Sequence, residues 1–132
     1  RKADKLERVA RQCEEVGKKP LVVVGDISED VFIEHLLNET ILHYKRLDVL
    51  VNNAGRGARG TLMDTKMEDY EKVFRINVQS VFYLTKLAMP HLIKTKGNVV
   101  NVSSSAGLRA IPGAVVYCMT KAALDHFSRI VS

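Results

Sequence analysis

Three short apolar runs, rich in β-branched residues, recur along this chain. Each is separated from the next by a stretch whose apolar residues repeat at helical spacing. The first run is Leu21-Val22-Val23-Val24, closed by Gly25-Asp26. The second lies within Asp48-Val49-Leu50-Val51-Asn52, and the third within Asn98-Val99-Val100-Asn101-Val102-Ser103. Runs this short cannot form helices, and their doubly apolar character predicts strands buried on both faces. Between them the spacing predicts a helix from Ala3 to Val16, with Leu6, Val9, Ala10 and Cys13 in register and Gly17 as its stop. Ser28 is expected to cap a second helix carrying Val31, Leu36, Leu37, Ile41 and Tyr44. A third runs from Asp69 to about Lys94, bent at Pro90 and stopped near Lys96-Gly97, and a last one runs from about Val115 onward. Strands alternating with helices have to lie parallel, with right-handed crossovers. The fold class that follows is α/β with a doubly wound parallel sheet, one domain over residues 1–132.

At 132 residues and 46% hydrophobic content the chain can bury a core, and disorder is excluded. Its formal net charge of +5 would suit a nucleic-acid partner only if the charges clustered. They do not: Arg1, Lys2, Lys5, Arg8 and Arg11 interleave with Asp4, Glu7, Glu14 and Glu15, the pattern of a solvated helix face. Nucleic-acid binding is not expected. Cys13 and Cys118 fall on separate predicted helices, far from ligand spacing, and read as free thiols of a reduced, cytoplasmic compartment. No apolar run is long enough to cross a bilayer, and no signal peptide is visible. The chain starts at Arg1 inside one helical pattern and stops at Ser132 inside another, as expected if it continues in both directions.

The residues that carry chemistry gather late in the chain. Tyr117 stands four positions before Lys121, which on a helix stacks phenol and ammonium on one face. A free phenol has a pKa of about 10, and a neighbouring cation favours its ionised form, so the pair can give or take a proton near neutral pH. A surface pair on a helix would read the same way in isolation. Ser103-Ser104-Ser105, however, leaves the third predicted strand at its carboxyl end, where doubly wound sheets hold their ligands. Asn52-Asn53-Ala54-Gly55 leaves the preceding strand at the same edge, and its small residues permit close approach of a cofactor. The loop Gly55-Arg56-Gly57-Ala58-Arg59-Gly60 spells G-x-G-x-x-G, but Thr61 to Thr65 separate it from any helix, so it cannot aim a helix N-terminus at a pyrophosphate. His35, His43, His91 and His126 show no metal-ligand or triad spacing, and G-x-S-x-G is absent. No metal is expected.

In that order, Asn52-Asn53-Ala54-Gly55, Asn77, Ser104, Tyr117 and Lys121 resemble the motif series of the short-chain dehydrogenase/reductase family, across nearly the whole chain. The resemblance implies an incomplete Rossmann-like domain whose glycine-rich turn would precede Arg1 and whose substrate loop would follow Ser132. Family spacing places the active hydroxyl thirteen positions before the tyrosine, at Ser104. By the same resemblance Ser104 bonds the substrate oxygen and Tyr117 is the acid or base. Lys121 holds the nicotinamide ribose and favours the Tyr117 phenolate. Asn77, a poor helix former in mid-helix, supports a water chain from Lys121. Asn53, Ala54 and Gly55 line the cofactor. Asp26 meets the adenine amino group, with Ile27 along the ring, although a helix-capping aspartate would look the same locally. Arg1, four positions before Lys5, resembles the arginine that meets the 2′-phosphate, pointing to NADP over NAD.

The activity implied is hydride transfer between NAD(P)(H) and a carbonyl or secondary alcohol. Carbonyl reduction is the expected direction with NADP, and the apolar stretch Gly107 to Val116 suggests an apolar substrate. The rivals are a dinucleotide-binding protein without turnover and an epimerase or dehydratase of the related extended type. The resemblance also implies a homodimer or homotetramer built through the long and last helices. In the doubly wound order two strands belong between the first and second seen here, so residues 1–132 alone are expected neither to fold stably nor to bind a dinucleotide, and so to be inactive.

Overall fold

The computed structural model describes residues 3–132. Its elements are α1 (Ala3–Val16), α2 (Asp30–Tyr44), β1 (Val49–Asn52), α3 (Met67–Phe74), a π-helical turn (Arg75–Gln79), α4 (Ser80–Thr95), β2 (Asn98–Asn101), a 3₁₀ turn (Ser105–Gly107) and α5 (Val115–Ile130). The two strands pair in parallel, with Val49 opposite Asn98 and Asn52 opposite Asn101. This is the α/β alternation expected, with part of the sheet present.

Helices α2 and α4 cover one face of that sheet. Leu50, on its inward side, packs with Ile33 and Leu37 of α2 and Leu84, Ala88 and Leu92 of α4, and Val99 of β2 packs against the same cluster. The opposite face is open: Val49, Val51, Val100 and Val102 are each between 41% and 54% exposed. Strands apolar on both faces are built to be covered on both.

Where strand end meets helix end the packing is close. A Cβ at Gly97 would fall 2.4 Å from the Asp48 carbonyl oxygen, so only glycine lets the end of α4 run into β2 beside β1. The left-handed residue that stops α4 is Lys96, with φ 55°, and the Gly97 N–H closes onto the Leu92 carbonyl at 2.8 Å. Lys45 stops α2 in the same conformation.

Three expectations are corrected. Leu21–Val24 forms no strand, because a parallel strand exists only against a partner and none lies beside it among the described residues. The Leu21 N–H donates instead to the Tyr44 hydroxyl at 2.8 Å. Glu29, not Ser28, is the N-cap of α2, and its side chain makes no cap bond. The long helix is not one α-helix: Pro90 lies inside a continuous α4, and the irregularity falls at Arg75–Gln79. Arg1 lies outside the described residues.

Candidate active site

The π turn is the device that presents Asn77. Its register sends the Ser80 N–H back to the Arg75 carbonyl, five residues away, which leaves the Ile76 carbonyl without its usual backbone donor. The Ser80 hydroxyl supplies the missing bond at 2.6 Å. Asn77, 1% exposed, then makes three amide bonds: Nδ2 donates to the Arg56 carbonyl (2.9 Å) and to Thr120 Oγ1 (3.0 Å), while Oδ1 accepts from the Arg56 N–H (2.8 Å). One side chain thereby pins the loop after β1 to α5. Both amide hydrogens are spent inside the protein, so any water path at Asn77 falls to the remaining capacity of Oδ1.

On α5 the predicted stacking is present. The Lys121 ammonium lies 5.7 Å from the centroid of the Tyr117 ring, within cation–π range. Lys121 is buried, and Nζ donates to the carbonyl of Val102, just past β2, at 2.8 Å. An ammonium has three donors, so two remain for other acceptors. Thr120 completes the local set: its hydroxyl donates to the Tyr117 carbonyl at 2.8 Å while accepting from Asn77.

Gly55 sits over this cluster. A Cβ there would lie 3.6 Å from Asn77 Oδ1 and 4.0 Å from Lys121 Nζ, so the absent side chain leaves a hollow lined by an amide oxygen and an ammonium. Asn53, Ala54 and Gly55 are all exposed at the carboxyl end of β1. A ribose, with adjacent hydroxyls that donate and accept, suits that hollow.

The serines arrive by a separate route. Ser104 is the extended N-cap of the 3₁₀ turn, and its Oγ accepts from the Ala106 N–H at 3.2 Å, leaving its own proton to be donated. Ser103 Oγ donates to the Lys121 carbonyl at 3.5 Å. Gly107 lies so close to α5 that a Cβ would fall 2.1 Å from Asp125 Oδ2 and 3.0 Å from the Lys121 carbonyl group. The turn carrying Ser104 is therefore seated on α5 at Lys121. A cleft of about 380 Å³ beside it is lined by Ser103, Ser104, Ser105 and Asp125, whose Oδ2 is buried without a hydrogen-bond partner.

Asp26 and Ile27 stand apart from this cluster. Asp26 Oδ1 accepts from both the N–H (2.9 Å) and the hydroxyl (2.8 Å) of Ser28, so the carboxylate shapes the turn before α2, whose N-cap residue is Glu29. Ile27 is half-buried against the Ile33–Leu37 core. Asp26 shares with Ser28, Arg56, Tyr70 and Arg75 a cleft of about 780 Å³. The Gly55–Gly60 loop does not open a helix; the Gly60 N–H bonds the Gly113 carbonyl at 2.8 Å and ties the loop to the start of α5.

Sequence reasoning missed the roles of Thr120, Ser80 and the Val102 carbonyl, together with a polar ladder beneath the site. Asn52 Nδ2 donates to Thr85 Oγ1 (3.1 Å) and Asn101 Oδ1 (2.8 Å), and Asn101 Nδ2 donates to Ser128 Oγ (2.9 Å), joining α4, β1, β2 and α5. The signal was an asparagine ending each strand in register. No group of three His, Cys, Asp or Glu among the described residues could hold a metal, and no described helix is long and apolar enough to cross a membrane.

The chain matches the short chain dehydrogenase family over residues 1–132. It is 36% identical to a meso-2,3-butanediol dehydrogenase of Serratia marcescens, covering 86% of this chain and 45% of that protein. It is 38% identical to an uncharacterized oxidoreductase of Thermotoga maritima, covering 96% and 50%. Human dehydrogenase/reductase SDR family member 7 is 36% identical, covering 96% and 39%. The chain thus spans half or less of the length of these relatives. Among solved structures, a short chain dehydrogenase/reductase of Saccharomyces cerevisiae superposes with TM-score 0.90 at 33% identity, covering 99% of this chain and 51% of that one. One from Burkholderia phymatum, solved in complex with NAD, superposes with TM-score 0.91 at 25% identity, covering 97% and 46%. With a parallel pair of strands flanked by helices and the family matched over residues 1–132, the chain belongs to the short-chain dehydrogenase/reductase family.

Proposed function

We propose that the protein transfers a hydride between NAD(P)(H) and a carbonyl or secondary alcohol, with Tyr117 as the general acid or base. The observation that carries this reading is the buried Lys121 ammonium against the Tyr117 ring, fixed by the Val102 carbonyl and facing the hollow over Gly55. When bound, the dinucleotide supplies the hydride donor or acceptor at its nicotinamide C4. Lys121, with two donors to spare, would hold the ribose, and Gly55 and Ala54 leave room for it. Tyr117 moves the proton at the substrate oxygen, and the Lys121 charge beside the ring stabilises the negative charge that develops on the phenol oxygen. The Ser104 hydroxyl, whose oxygen is anchored by Ala106, donates to the substrate oxygen. Asn77 keeps Lys121 and the loop after β1 in register, and its Oδ1 takes the water side of the proton path.

Asp26, with Ile27 beside it, is proposed for the adenine end. NADP is the proposed cofactor, with Arg1 toward the 2′-phosphate, and reduction of an apolar carbonyl compound the proposed direction. Leu108 (75% exposed) and Ile111 (42%) support an apolar substrate. For the proposed homodimer or homotetramer, the Phe82–Phe127 edge contact between α4 and α5, with Phe82 more than half exposed, supplies an apolar face.

The test is Tyr117→Phe in the intact protein, assayed by NADPH and NADH oxidation against a panel of apolar ketones without sugar nucleotides. Cofactor binding should persist while turnover falls by at least about a hundredfold. Undiminished turnover overturns the assignment. Turnover that requires a sugar nucleotide, with no net cofactor oxidation, favours the epimerase reading.

A further inference from the structure

Arg75 takes no part in the chemistry proposed above, yet its side chain leaves the π turn for the far end of the site. Its Nε donates to the Ser28 carbonyl at 2.6 Å, and Nη2 lies 3.1 Å from Asp30 Oδ1. Ser28 is no loose acceptor. Its N–H and hydroxyl both donate to Asp26 Oδ1, and the Glu29 N–H closes onto the Asp26 carbonyl at 3.1 Å. Asp26–Glu29 is thus one hydrogen-bonded unit with Arg75 forked onto its far side.

The other end of Arg75 is equally tied down. Its carbonyl accepts the Ser80 N–H bond that sets the π register, and two residues on, Asn77 clamps Arg56 and Thr120. A π turn is a register that a helix can gain or lose locally, which makes it sensitive to what holds it. The Arg75–Asp30 pair is partly exposed, with side chains 32% and 49% accessible, so its charge attraction is weak. The bond to Ser28 carries the geometry, because a planar guanidinium fixes direction as well as distance.

We propose that Arg75 is a positioning residue that couples the Asp26–Glu29 turn to the π turn. Filling the adenine end of the cofactor site then steadies Asn77, and through it Thr120 and the loop over Lys121. This rests on the assignment of Asp26 to adenine made above.

The experiment is amide hydrogen exchange by mass spectrometry on the intact protein, with and without ADP-ribose, which fills the adenine end and lacks the nicotinamide. In the wild type, ADP-ribose should slow exchange across both 26–30 and 75–80. In R75Q it should slow exchange at 26–30 alone, with affinity for ADP-ribose reduced roughly three- to tenfold. D30N keeps the Ser28 bond and should keep protection at 75–80. R75K, charged but without the fork, should fall between wild type and R75Q, and it carries the comparison if R75Q does not fold. Equal protection of 75–80 in wild type and R75Q, or none there in the wild type when 26–30 is protected, overturns the coupling and leaves the cofactor assignment standing. No protection at 26–30 in the wild type overturns the Asp26 assignment and the coupling with it.

Discussion

Replacing Gly107 by alanine asks whether Ser104 owes its place to the fit of one turn against α5. Gly107 is not among the glycines with positive φ, so alanine meets no backbone penalty there and the cost is steric. The added methyl would lie 2.1 Å from Asp125 Oδ2 and 3.0 Å from both the carbonyl carbon and oxygen of Lys121. The carboxylate ends a side chain that can rotate away; the Lys121 carbonyl belongs to a helix backbone and cannot. The turn must therefore lift from α5, carrying Ser104 with it and straining the Ser103 bond to the Lys121 carbonyl. Overpacking of this kind costs about 1–3 kcal/mol, roughly 2–4 °C of Tm for each kcal/mol in a protein the length of its relatives. Urea denaturation of the intact protein measures the first quantity, and steady-state kinetics should show kcat falling more than cofactor affinity, because Ser104 is assigned to the substrate. Adding Asp125→Ala to G107A removes the 2.1 Å contact but leaves both 3.0 Å contacts, so it should restore only part of the loss. If G107A is as stable as wild type to within about 0.5 kcal/mol and keeps its kcat, the seating of Ser104 described above is wrong.

Asn77→Leu keeps the branched shape of the side chain but forfeits its bonds to Arg56 and Thr120, so urea denaturation should show a loss of about 1–3 kcal/mol. Tyr83 donates to Glu34 across α2 and α4, and this bond, with burial and the charges of Glu34 and Asp30, raises its pKa above the ordinary phenol value. Because the folded value is the higher one, the contribution to stability is complete below the unfolded pKa of about 10 and is lost as pH rises through the folded value. NMR titration of ring-labelled tyrosine should show Tyr83 ionising late, and Glu34→Gln should move it earlier; an unmoved midpoint would disprove the bond. Residues 1–132 expressed alone should show no cooperative thermal transition, since four valines of the sheet stay exposed and Leu21–Val24 has no strand partner among the described residues.

The helices and two of the strands could be read from periodicity because an amphipathic face and a β-branched run are local properties. α1 ends where Gly17 predicts, and β1 and β2 lie within the predicted runs. Leu21–Val24 has equally strong strand character and forms none, since pairing is a property of two segments and not of one. The shared helix face of Tyr117 and Lys121 was likewise legible, through their spacing of four. The π turn was not: Arg75–Gln79 reads as ordinary helix, and only the Ser80 hydroxyl on the Ile76 carbonyl, with the Asn77 amide locked to Arg56 and Thr120, selects the wider register.

Taken alone, then, the order of residues determined the family's motif series and that phenol and ammonium share a helix face, because spacing on a helix is geometry. Tertiary structure decided what each group is bonded to: that Lys121 spends one donor on Val102, that the Asn77 amide hydrogens are not free for water, and that Ser104 is held through Gly107. Those partners come from segments far apart in the chain, and hydrogen bonds and steric fit between such segments exist only once packing has brought them within about 3–4 Å.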